Sequence, residues 1–254
     1  MSKSKWVVAC FSPTGTTRKI AYAVMSGMGE PVSEMDLCKE CQGISFDDSM
    51  ALLVVVPVYG GRVPKVAIER LAVLRGNGQK AVAVVVYGNR EYDDALLELK
   101  NELEKSGFQV IAAGAFIAEH SIIRSIANGR PDEEDIKIAH QFGMNITAKM
   151  LGGDNVDSVQ VPGKDPYVPI KPSAFHPTAS ETCVKCGHCA ELCPVSAIPV
   201  DTPNQTLDDR CINCMRCVQV CPVQARSLPS AFLAGAKKML EEKASGYKKP
   251  ELFL

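Results

Sequence analysis

No apolar run in the chain approaches the roughly eighteen residues that a membrane-spanning helix requires, so no span is expected. The only apolar run near the N-terminus is the six residues Trp6–Phe11, followed closely by Pro13. It falls short of the about 7–15 residues of a secretory signal core. A cytoplasmic location is therefore expected, and a disulfide framework is not. Charge of neither sign is in excess, with 28 Lys and Arg against 29 Asp and Glu, which gives no electrostatic footprint for nucleic acid. Also missing are a Gly-x-Gly-x-x-Gly fingerprint and a Gly-Lys-Ser/Thr phosphate loop, which removes the usual signals for dinucleotide and nucleoside triphosphate binding. No residue constellation for hydrolysis or group transfer stands out. What remains is a chain of 254 residues, 46% hydrophobic and 22% charged, long enough for two domains.

Cysteine is what the chain has in unusual supply and arrangement. Eight of its eleven cysteines lie between Cys183 and Cys221, in two copies of Cys-x2-Cys-x2-Cys-x3-Cys-Pro. The first copy is Cys183, Cys186, Cys189 and Cys193; the second is Cys211, Cys214, Cys217 and Cys221. Zinc would use two Cys-x2-Cys knuckles and leave the third and fourth cysteines of each copy without a role. The spacing is similar to that of bacterial two-cluster ferredoxins, in which it holds cubanes of four irons and four sulfides. This resemblance implies two [4Fe-4S] clusters with crossed ligation, because the fourth cysteine of each run turns away to the other cluster. Cys183, Cys186, Cys189 and Cys221 would hold one, and Cys211, Cys214, Cys217 and Cys193 the other.

The N-terminal half reads differently. Lys5–Phe11 is a short apolar run of the kind that forms a strand buried on both faces of a parallel sheet. It passes directly into Ser12-Pro13-Thr14-Gly15-Thr16-Thr17, after which Ile20, Ala21, Val24 and Met28 fall at helical spacing. A strand, a hydroxyl-rich loop and a helix N-terminus together make an anion site, because the first-turn amides are unpaired and carry partial positive charge. Further buried strands are expected at Met50–Val58, Lys80–Tyr87 and Gln109–Ile117, alternating with helices at about 65–74 and 95–106. That alternation predicts an α/β fold with a doubly wound parallel sheet, whose ligands sit beyond the carboxyl ends of the strands.

Residues 4–150 resemble the flavodoxin family, whose first loop, of the type Ser/Thr-x-Thr-Gly-x-Thr, cradles the phosphate of FMN. Ser12, Thr14, Gly15 and Thr17 match those positions, with Thr16 between them. The resemblance implies an isoalloxazine ring held by two further loops: Pro57, Val58, Tyr59 and Gly60 in one, and Tyr87, Gly88, Asn89, Tyr92 and Asp93 in the other. At least one of Tyr59, Tyr87 and Tyr92 is expected to stack on the ring. Arg90, or failing it Arg62, is expected to approach the pyrimidine end of the flavin, the alternative being an ion pair of Arg90 with Glu91 or Asp94. Ser121 and His120 could reach the same pocket, although a lone histidine after a strand reads as structural.

The rest of the chain is organised around these two units. An amphipathic helix is expected from Asp132 to about Leu151, with Pro131 before it and acids in its first turn. Residues 1–152 then form a flavodoxin-like domain and 153–180 a linker stiffened by Pro162, Pro166, Pro169, Pro172 and Pro177. Residues 181–228 form a small α+β iron–sulfur domain, and 229–254 a helix and tail whose Lys237, Lys238 and Lys243 read as a solvated face. Cys38 and Cys41 read as a loop pair without a cofactor, and Cys10 as a small buried hydrophobe.

As a whole the chain resembles flavodoxin-ferredoxin fusions of anaerobic bacteria and archaea. The resemblance implies an electron-transfer flavoprotein in a reducing, oxygen-poor cytoplasm, with FMN, two clusters and a redox partner protein. The alternative is an FMN-dependent reductase of a small acceptor such as a quinone or nitro compound, fed by the clusters. A redox-sensing module is a third class, with nothing in the sequence to favour it. A homodimer could bring one chain's clusters against the other's flavin.

Overall fold

The computed structural model describes residues 5–29, 31–152, 157–170, 173–244 and 246–254. Expectations for residues 153–156 of the linker, and for Pro172, lie outside the described residues.

The expected apolar runs form strands with almost no exposed residues. They are β1 (Lys5–Cys10), β3 (Met50–Pro57), β4 (Lys80–Tyr87) and β5 (Gln109–Ile117), all parallel. A further parallel strand, β2 (Pro31–Asp36), lies outside β1. Its sequence PVSEMD is half exposed, as an edge allows, so it has no continuous apolar run to reveal it. The order β2-β1-β3-β4-β5 is that of the flavodoxin-like doubly wound sheet.

Helices cover both faces. On one side α1 (Thr16–Met28) lies beside α4 (Glu133–Leu151); on the other are α2 (Lys65–Leu71) and α3 (Ala95–Lys105). Asp132 caps α4 with a reciprocal box, accepting from the Asp135 amide at 3.0 Å while the Asp135 carboxylate accepts from the Asp132 amide at 3.0 Å. The approach of α1 to α4 depends on two glycines. A Cβ on Gly27 would stand 2.0 Å from the His140 carbonyl oxygen, and one on Gly143 would stand 2.0 Å from that of Val24.

Among the described residues, 157–170 and 173–177 carry no regular secondary structure. Val159 is buried there, its amide donating to the Val110 carbonyl at 2.9 Å. The iron–sulfur segment contains a two-stranded antiparallel ribbon, β6 (Thr178–Ala179) with β7 (Arg226–Ser227), and the single turns α5 (His188–Glu191) and α6 (Arg216–Gln219). Helix α7 (Ser230–Lys243) then brings Leu240 and Ala244 against Ile123 and Ile126 of the loop after β5. The tail does more than follow that helix. Its β8 (Glu251–Phe253) pairs antiparallel with Ala113–Ala115 and becomes the sixth strand of the N-terminal sheet.

Candidate redox centres

The two cysteine runs fold as near copies. Lys185 and Asn213 occupy the left-handed region at φ 53° and 51°, and Gly187 and Met215 do so at 79° and 62°. These turns coil the backbone around the first three cysteines of each run. A single helical turn follows, and then Cys-Pro, after which Ser196 and Gln224 are again left-handed at φ 49° and 52°. The Ala197 amide donates to Cys193 Sγ at 3.2 Å, and the Ala225 amide to Cys221 Sγ at 3.3 Å. Amide-to-sulfur bonds of this kind stabilise charge on a thiolate and tune a cluster bound to it.

The sulfurs sort into two cavities. One is lined by Cys193, Cys211, Cys214 and Cys217, with Ile198, Ile212 and Arg216 among its walls. The other is lined by Cys183, Cys186, Cys189 and Cys221, with Pro203 and Arg226. Each cavity thus takes three cysteines from one run and the fourth from the other. Among the described residues no three His, Cys, Asp or Glu side chains converge in the manner of a single-ion site; the thiols line cavity walls instead. Burial raises the Cys211 and Cys214 thiols and pushes Cys217 up to about 11.

At the carboxyl ends of β1, β3, β4 and β5 lies a third cavity. Thr14, Thr16, Thr17, Pro57, Val58, Tyr59, Tyr87 and Gly88 line it, all of them expected from the sequence. Gly15 adopts φ 89° at the head of α1 and has no side chain with which to cap it. Thr14, Thr16 and Thr17 at the α1 N-terminus thus line the cavity with no lysine among its lining residues, residue types suited to a phosphate monoester. Ser12 is buried behind the loop, where its Oγ accepts from the Arg18 amide at 2.9 Å. Gly60, at φ 62°, makes the exposed turn after Tyr59.

The remaining expected residues are placed elsewhere. Asn89 is buried, and its side-chain amide donates to the carbonyls of Ala244 at 2.6 Å and Gly246 at 2.8 Å. Tyr92 packs against Tyr87 and donates to Glu251 of β8 at 2.7 Å. Asp93 sits under Gly61 and pairs with Arg90. That pairing corrects the expectation for Arg90, whose partner is a carboxylate of its own loop, and is neither Glu91 nor Asp94. Arg62 is likewise committed away from the cavity: it makes two bonds to Glu98, at 2.6 and 2.8 Å, and lies over the Tyr167 ring at 4.7 Å.

Ser121 lines the cavity, as does Glu119, which sequence reasoning missed because nothing local marks it. His120 backs onto Gly88, where a Cβ would stand 2.5 Å from its ring. Its Nδ1 accepts from the amides of Ile122 and Ile123 at 3.2 and 3.1 Å. Burial, and secondarily Arg90, lowers its pKa to about 4. A neutral imidazole whose acceptor nitrogen is already engaged has a structural role.

Hydrogen bonds join the phosphate-loop side of the first domain to the cysteine-rich segment. Gln219, on the same turn as Cys217, donates to the Thr14 carbonyl at 3.2 Å. Arg70 spans the domains, donating to the carbonyls of Leu37 at 2.7 Å and Pro194 at 2.6 Å. Ile212 packs on the same core face as Val58 and Tyr59. Burial, and then the neighbouring Cys214 and Cys38, raises the Tyr59 phenol well above its ordinary value. Cys38, read from sequence as an uninvolved loop residue, is buried between these elements, and burial followed by Asp36 pushes its thiol to about 11.

A family model described as a 4Fe-4S dicluster domain matches residues 178–238. No curated protein matches the chain. Among solved structures, a flavodoxin from the domain Archaea is similar over 58% of this chain and 99% of its own, at 14% identity and a TM-score of 0.37. A flavodoxin of Streptococcus pneumoniae TIGR4 is similar over 57% and 99%, at 20% identity and 0.42. Oxidised flavodoxin 2 from Bacillus cereus is similar over 57% and 99%, at 17% identity and 0.41. The flavodoxin-like assignment itself rests on the strand order.

Proposed function

We propose that the chain is an electron-transfer flavoprotein that passes electrons between FMN, two [4Fe-4S] clusters and a redox partner protein in a reducing, oxygen-poor cytoplasm. Thr14, Thr16, Thr17 and the first amides of α1 would hold the FMN phosphate, with Tyr59 and Tyr87 beside the ring. Cys193, Cys211, Cys214 and Cys217 would hold one cluster, and Cys183, Cys186, Cys189 and Cys221 the other. When bound, FMN supplies one- or two-electron chemistry and each cluster a one-electron couple.

The observation that carries this reading is the junction of the two domains. Thr14, at the phosphate loop, accepts a hydrogen bond from Gln219, on the turn that also bears Cys217. Tyr59 lines the flavin cavity and packs on the core face that Ile212 of the second domain also meets. A covalently fixed neighbour of this kind removes the need for two carriers to diffuse together. On this reading the Cys214 site would lie next to the flavin and the Cys186 site beyond it. Cys186 is exposed, which gives a partner protein access to that outer site.

Anaerobic purification with iron, sulfide and flavin quantitation tests the reading. About eight irons and one FMN per chain are expected for two cubanes and one flavin site. Full iron without flavin, even after FMN is added, would reduce the Thr14–Thr17 loop to a helix start.

A further inference from the structure

Arg226 of β7 is 2% exposed, as buried as any charged side chain outside the ion pairs of the first domain. A guanidinium does not lose its proton in a protein, so the charge is present whatever the pH. Its Nη2 donates to the carbonyls of Pro203 at 2.5 Å and Gln205 at 2.9 Å. Nη1 donates to Thr206 Oγ1 at 2.8 Å and the Pro177 carbonyl at 3.3 Å. Nε points at Cys189 Sγ, 3.3 Å away.

None of those partners is a carboxylate. The other deeply placed guanidiniums differ in this respect: Arg130 pairs with Asp135, and Arg62 with Glu98. Burying a charge is costly unless it is compensated, and the one partner of Arg226 able to carry negative charge is the cysteine sulfur. Arg226 lines the cavity of Cys183, Cys186, Cys189 and Cys221. Its charge also lowers the Cys211 and Cys217 thiols of the other set, against the larger effect of their burial.

We propose that Arg226 is a fixed internal cation that sets the reduction potentials of both iron–sulfur sites, acting most strongly on the one that includes Cys189. The inference rests on the cluster reading above. Reduction adds one electron to a cluster already negative with its four thiolates, and a neighbouring cation favours that added charge. The guanidinium keeps its proton throughout, so no proton accompanies the electron at this residue. Arg226 therefore holds the outer site, where a partner would dock, at a higher potential than an uncharged side chain would.

The test is a redox titration of the anaerobically purified full chain, with dithionite as reductant and the clusters followed by electron paramagnetic resonance. In Arg226→Gln the reduction equilibrium of the Cys189 site should fall about tenfold, about 59 mV for a one-electron couple, with a smaller fall at the other site. Arg226→Lys, which keeps the charge, should restore most of the loss. Unchanged midpoints in Arg226→Gln at full iron content overturn the proposal. If Arg226→Gln does not load its clusters, Arg226→Lys decides: loading with near-native midpoints supports a role for charge, and failure to load shows that the shape of the side chain is what matters, which overturns it. Iron and sulfide quantitation on the unaltered chain separates this outcome from failure of the cluster reading, which would show as iron well short of two cubanes.

Discussion

The two cysteine runs share a backbone and differ in almost everything around it. Lys185 matches Asn213, Gly187 matches Met215, and Ser196 matches Gln224, each pair left-handed. Yet Cys186 is exposed, whereas its counterpart Cys214 is buried at 8% exposure. The turn of the first run buries Cys189 and Ala190, whereas that of the second reaches the first domain through the Gln219 bond to the Thr14 carbonyl. Spacing therefore encodes the coil, while the first domain decides what each coil can do. A residue in the αL region without being glycine costs roughly 1–2 kcal/mol, and Met215 offsets that strain by burying its side chain beside the cavity of Cys193, Cys211, Cys214 and Cys217.

The largest effect should come from breaking the two halves separately. Cys214→Ser should remove the iron of the inner site and uncouple the flavin from dithionite-reduced clusters, whereas Cys186→Ser should remove only the outer site's iron and leave flavin reduction from the inner site intact. Iron quantitation with stopped-flow spectra of flavin and clusters would read both. Equal loss of flavin coupling in the two variants would show that the halves are interchangeable.

Acid should next distinguish the flavin side from the outer half. His120 is held neutral with its pKa lowered to about 4 from an ordinary 6.5. A histidine depressed in this way contributes stability that is complete above about pH 6.5 and lost as pH falls toward 4, worth about 3 kcal/mol over that window. Hydrogen exchange should show the loop after β5 opening over that range while the Cys186 coil keeps its protection. His120→Asn, which retains an acceptor for the Ile122 and Ile123 amides, should flatten the dependence.

The smallest effects should come from the junction itself. Arg70→Ala removes a charged donor from the carbonyls of Leu37 and Pro194 and should cost about 1.5–3 kcal/mol. Gln219→Ala removes one partly solvated bond to Thr14 and should cost about 0.5–1.5 kcal/mol. Both should slow flavin reduction more than they alter cluster loading, which denaturation curves and the same stopped-flow traces would check.

The sequence made some of this legible and hid the rest for physical reasons. Strands buried on both faces, such as Leu52–Val56 and Val82–Val86, are unbroken apolar runs, so β3 and β4 are plain. The edge strand β2 buries only Met35 among its six residues, so it has neither an apolar run nor a clear period to stand out. Thr14–Thr17 and the Cys-x2-Cys runs are legible because local backbone geometry places them. Asn89, Tyr92 and Asp93 sit in an expected flavin loop, but their side chains answer to partners remote in sequence or to their own loop: Ala244 and Gly246, Glu251, and Arg90. Arg226 was illegible for the same reason, since its bonds go to carbonyls and a sulfur that only the fold assembles.

The tail strand gives the chain an order of assembly. During synthesis β5 emerges well before Glu251–Phe253, and until those residues arrive its outer backbone edge has no strand beside it. An unpaired edge invites pairing with other chains. The iron–sulfur segment lies between β5 and β8 in sequence, so the sheet closes only once that segment has been synthesised. Completion of the first domain thus reports on production of the second, and a ribosome that stalls within the cysteine runs would release a sheet with an open side, recognisable to proteases and chaperones.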